Sequence, residues 1–136
     1  MKRRTIAVLI LSLLPFGASA PAWTHHSFAA AYDTNSAISI KGKIVQVRLT
    51  NPHSWFFLDV EGEDGNTVRW SFEAGTPSGM IRNGFSPNVI KEGDVVTING
   101  FSAKDASSNA GMMRELVTSD GTAYGMFATR RELGNN

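Results

Sequence analysis

The stretch Ile38-Ser39-Ile40-Lys41-Gly42-Lys43-Ile44-Val45-Gln46-Val47-Arg48-Leu49 changes parity partway along. Ile38, Ile40 and Ile44 fall on one side of an extended chain, and Val45, Val47 and Leu49 fall on the other, because successive side chains of a strand point to opposite faces. A strand serving one sheet keeps its parity throughout. Here the inward face switches between Ile44 and Val45, which requires a bulge or a sharp coil close to Gly42. A first strand that bends to serve both sheets belongs to a small, partly open barrel.

The remaining pattern continues in short strands. Asn51-Pro52 interrupts the run, since proline has no N–H to give a ladder. Ser54 to Val60 resumes as an aromatic-rich strand, Glu61 to Asn66 turns, and Val68, Trp70 and Phe72 alternate with Arg69, Ser71 and Glu73, predicting a hairpin. Thr76-Pro77-Ser78 followed by Met80 and Ile81 predicts a short capped helix between strands. Lys91-Glu92-Gly93-Asp94 turns into a strand over Val95 to Phe101. A polar loop, Lys104 to Gly111, leads to strands over Met112 to Thr118 and Tyr124 to Ala128. The fold class is therefore all-β: a five- to six-stranded barrel like the oligonucleotide/oligosaccharide-binding (OB) fold, with one short helical connector. An immunoglobulin-like sandwich needs about seven strands, more than this chain offers.

The first 22 residues read as an export signal. Lys2, Arg3 and Arg4 precede an apolar run from Ile6 to Leu14, and Pro15 and Gly17 lead into small residues. That run is shorter than the roughly 20 residues a membrane-crossing helix needs. Cleavage after Ala22 avoids leaving proline next to the cut, as cleavage after Ala20 would; cleavage after Thr24 would expose His25. The expected organisation is a signal peptide (1–22), an N-terminal arm (23–37), a barrel domain (38–129) and a flexible tail (130–136). The expected location is periplasmic or secreted, with no membrane span after signal cleavage.

Thirteen basic side chains oppose twelve acidic ones, but three basic ones leave with the signal, so the mature chain is mildly acidic. With no basic run, nucleic acid is not an expected partner. Cysteine is absent, which excludes disulfides, thiolate metal sites and cysteine nucleophiles.

The histidines remain as the chemistry-bearing residues. His25 and His26 follow the signal, and His53 follows Asn51-Pro52. Imidazole is a common ligand for copper and zinc. Cleavage after Ala22 would start the chain Trp23-Thr24-His25, whose amine, two backbone amides and imidazole suit square-planar Cu(II). If His25 is the first residue, its amine and ring chelate together with His26 or His53. Copper suits the set better than zinc, since neither cysteine nor a carboxylate triad accompanies the histidines. The plainer alternative makes His25 and His26 solvated arm residues and His53 a cap on the Asn51-Pro52 bend.

Glu73, with Asp59 or Glu61, offers carboxylates that are otherwise solvent-facing strand charges. Trp55, Phe57, Trp70 and Phe72 offer either a stacking platform or core. Ser27, Ser54 and Ser78 lack a nucleophile elbow, and there is no phosphate-cradling loop or dinucleotide fingerprint.

Five segments matter together: His25-His26-Ser27-Phe28-Ala29-Ala30 with Tyr32-Asp33; Asn51-Pro52-His53-Ser54-Trp55; Trp70-Ser71-Phe72-Glu73; Lys91-Glu92-Gly93-Asp94; and Ala103-Lys104-Asp105. In these the chain resembles a family of small exported bacterial proteins classed as a domain of unknown function. The resemblance spans nearly all of the mature chain. It implies an exported barrel-like domain in which His25, His26 and His53 match the family's histidines and Glu73 its acidic position. Thr24 stands where the family often has a small residue.

Two functions follow as expectations. The first is an exported binding barrel that holds a divalent metal, copper ahead of zinc, through His25, His26 and His53. The second is a metal-free module that meets a protein or small-molecule partner through Trp55, Trp70 and Glu73. A copper oxidase built on an N-terminal histidine comes third, and no catalytic residue is assigned.

Overall fold

The structure is a computed structural model that describes residues 28–126. One helical turn, α1 (Phe28–Ala31), leads directly into a 17-residue strand, β1 (Tyr32–Arg48). β2 (Trp55–Glu61) and β3 (Thr67–Glu73) form the hairpin, α2 (Pro77–Arg82) connects onward, and β4 (Val95–Ala103), β5 (Ala110–Thr118) and β6 (Ala123–Gly125) follow. The sheet order is β3-β2-β1-β4-β5-β6, and β3 also pairs with β5, which closes β1 to β5 into a ring. That closing pair, Ser71 to Glu73 beside Ala110 to Met112, is the parallel one; the others are antiparallel. The OB-like barrel is thus present, with its helical connector between β3 and β4.

β1 does what its parity requires. Its first part pairs with β4, from Ala37 opposite Phe101 to Lys43 opposite Val95, and its second part pairs with β2. The register on β2 slips between Ile44 and Gln46, so the extra residue is Val45, three positions beyond Gly42. One strand thereby pairs with two neighbours within a single closed sheet.

β1 starts at Tyr32, six residues ahead of the Ile38 at which the alternation begins. Tyr32 to Ala37 carries no period-two pattern because its ladder is irregular: Tyr32 opposes Ala103, and the register shifts before Ala37. Outside help holds the turn just before it. Lys104 reaches back twice, its backbone N–H donating to Ala31 O at 3.0 Å and its Nζ to Ala29 O at 2.5 Å. β5 likewise begins at Ala110, inside the polar loop, because parallel pairing with β3 recruits Ala110 and Gly111.

The barrel interior is filled by Ile44, Phe56, Leu58, Phe72, Ile98, Met113 and Leu116, all essentially inaccessible to solvent. α2 contributes Met80 to the same cluster. Its start is fixed locally: Thr76 caps it by accepting from Gly79 N at 3.1 Å, and Pro77 supplies a preset φ at the first helical position. Gly100 sits where the β4–β5 register slips. A Cβ there would stand 1.9 Å from Met112 O, so these two strands approach more closely than any side chain permits.

Candidate functional site

His53 and Glu73 are brought together at the end of the barrel where β2, β3 and β5 meet. Glu73 is the last residue of β3 and opposes Trp55 on one side and Met112 on the other. His53 belongs to the link between β1 and β2, just after a cis Asn51–Pro52 bond. That link is held at both ends. Thr50 Oγ1 donates to His53 O at 3.0 Å. Ser54 extends the β2–β3 pairing, donating its N–H to Gly75 O and accepting from Ala74 N.

The Glu73 carboxylate has two partners, one on each oxygen. His53 Nδ1 meets Oε1, and Tyr32 Oη donates to Oε2 at 2.5 Å. The Glu73 side chain is 14% exposed and that of His53 31%, so the carboxylate is the more shielded of the two. Tyr32 is itself buried. Its phenol is held well above the ordinary tyrosine range, first by burial, then by its bond to Glu73 and the charge there, so it remains a donor. With Nδ1–H directed at a carboxylate, the lone pair of the neutral ring falls on Nε2. A carboxylate that fixes the tautomer and orientation of an imidazole in this way is the usual second partner of a metal-binding histidine.

The sequence marked Glu73 as an acid on the polar face, but not its role of linking a histidine to a tyrosine. Tyr32 was missed as a participant. The available signal was its place in the Tyr32-Asp33 segment, one of those on which the expected family resemblance rested.

The other marked residues are spread out. His25 and His26 lie outside the described residues. Asp59 is engaged by Arg69, its cross-strand partner, at 2.8 and 3.1 Å, and Glu61 is exposed at the far end of the hairpin. Trp55 is paired with Glu73 and so shares its face, whereas Trp70 pairs with Leu58 and stacks on buried Phe72 at 5.7 Å. The structure therefore places Trp55 beside Glu73 and Trp70 against the core, so the two tryptophans form no common platform. Among the described residues no group of three or more histidine, cysteine, aspartate or glutamate side chains converges as a metal cage. No helix among them is long and apolar enough to cross a membrane.

A cleft of about 350 Å³ opens beside His53, lined also by Gly75, Thr76, Gly79, Arg82, Asn83 and Met126. Arg82 is exposed at the last turn of α2.

The chain matches the model of one protein family, described as a family of unknown function (DUF6152), over residues 14–113. No curated protein matches it.

Proposed function

We propose, for a chain that belongs to the DUF6152 family of unknown function, that it is an exported barrel whose task is to hold a divalent metal, copper first, through His25, His26 and His53. The observation that carries this reading is the Tyr32–Glu73–His53 chain of contacts. Glu73 serves as the orienting carboxylate, Tyr32 fixes Glu73, and His53 Nε2 is the ligand atom. His26 precedes Tyr32 by six residues, a length that spans at most about 20 Å when fully extended. Tyr32 ties the start of β1 to Glu73, and through it to His53, while Lys104 holds Ala29 and Ala31 just before it. Nitrogen ligands with no thiolate suit Cu(II).

Native mass spectrometry of the protein purified from the periplasm tests this directly. A mature N-terminus at Trp23 or His25 with one copper, lost in His53→Ala, is the expected result. A protein that stays metal-free after stoichiometric copper and zinc are added overturns the metal reading.

The second reading is a metal-free interaction module of the same exported barrel. It is favoured by half-buried Trp55 on the face of Glu73. It becomes the working reading on the metal-free outcome.

A further inference from the structure

We infer that the cleft beside His53 is a binding site for a small organic carboxylate, with Arg82 as its anchor. Four arginines lie among the described residues, and three of them are engaged. Arg69 holds Asp59, Arg48 lies over the Phe57 ring at 5.1 Å, and Arg114 lies over the Phe101 ring at 5.4 Å. Arg82 has no carboxylate and no aromatic ring as partner among the described residues. Its guanidinium turns back along α2 into the cleft: Nη2 lies 3.9 Å from where a Cβ on Gly79 would stand.

The rest of the lining matches an anion. Thr76 and Asn83 bring O–H and N–H groups, and no carboxylate is among the lining residues. Gly75 and Gly79 keep the floor low, so a ligand can approach the backbone. Buried Met126 adds an apolar surface. A guanidinium fork pairs with a carboxylate through two parallel hydrogen bonds, and the cleft volume lies at the lower end for small-molecule sites. A carboxylate with a short apolar body meets all of these features; inorganic phosphate lacks the apolar part.

The site borders the metal reading at His53 but rests on Arg82, a residue that reading does not use. The test uses metal-stripped, dialysed mature protein, titrated separately with benzoate and with inorganic phosphate while backbone amide and His53 ring signals are followed by NMR. Benzoate is expected to give saturable shifts at Gly75, Gly79, Asn83 and His53. Arg82→Gln should weaken that binding by about tenfold or more, and Arg82→Lys, which keeps the charge but loses the fork, should fall between. Copper uptake by Arg82→Gln is expected to match the parent, so failure of either reading is seen separately. No saturable shift at millimolar benzoate, equal binding by Arg82→Gln, or a response to phosphate alone would each overturn the inference.

Discussion

Tyr32, the first residue of β1, and Glu73, the last residue of β3, lie 41 positions apart and share a 2.5 Å hydrogen bond. The bond ties the start of the barrel to the carboxylate that holds His53, so the entry of the chain and the candidate site are one unit. Tyr32→Phe removes a donor to a carboxylate while keeping the ring packed. It should lower stability by about 2 kcal/mol, in the range for hydrogen bonds to charged groups, read from urea unfolding. An unchanged midpoint would mean that the bond contributes nothing net.

The same residue sets an alkaline limit. Tyr32 is held protonated in the folded state, with its pKa raised above the ordinary value. Below about pH 10 both folded and unfolded chains carry this proton, and the contribution is fully present. Above it the unfolded chain releases the proton while the folded one keeps it, so stability falls as pH rises toward the folded pKa. Unfolding curves compared at about pH 8 and about pH 11 should show a steeper loss in the parent than in Tyr32→Phe.

Glu73→Gln keeps the size of the side chain but removes the charge and one of two acceptor oxygens. If Glu73 orients His53 for metal, copper affinity should fall by about tenfold to a hundredfold without being abolished, and the His53 Nδ1 proton signal should shift. A purely structural Glu73 would lower stability and leave the copper affinity of the folded protein unchanged. Isothermal titration alongside urea unfolding separates the two.

Ser54 is fully buried, and its Oγ has no hydrogen-bond partner among the described residues. Its backbone groups are satisfied by Gly75 and Ala74, so the hydroxyl alone is left unpaired. Ser54→Ala removes that polar atom and should stabilise the protein by about 1 kcal/mol, seen as a raised urea midpoint. A loss of stability instead would mean the hydroxyl is satisfied in solution.

Gly100→Ala should be among the most damaging single changes. The added methyl meets Met112 O at 1.9 Å, and backbone on the neighbouring strand cannot swing aside as a side chain would. The expected cost is about 3 kcal/mol or failure to fold, measured by unfolding and by circular dichroism.

The parts of the fold that were legible in the sequence are those with period-two alternation. Val68, Trp70 and Phe72 marked β3, and the parity change in β1 marked the bend that distinguishes a barrel from a flat sheet. Tyr32 to Ala37 gave no such signal because its pairing with β4 is irregular, and the residues just before it, Ala29 and Ala31, are held by Lys104, more than seventy positions away. The β3–β5 closure was equally silent, since three residues of parallel pairing leave no periodic trace. At the site, His53 and Glu73 could be marked singly from their types. Their meeting depends on Ser54 lying beside Ala74 and Gly75, which only the closed hairpin provides. Arg82 passed unnoticed because an arginine in a helical connector is ordinarily a solvated charge; its significance comes from the partners it lacks.

The pairing of β1 with β4 also fixes an order of events. A chain that emerges N-terminus first presents β1 early, yet residues 37–43 of that strand find their ladder partners only in 95–101. Until Val95–Ala103 has followed, half of the longest strand is an open edge, and an open edge invites pairing with other chains. Ring closure waits longer still, for Ala110 to Met112 to reach β3. Contacts of such long sequence separation form slowly, so the nascent barrel passes through an interval in which its N-terminal half is complete in sequence but unprotected.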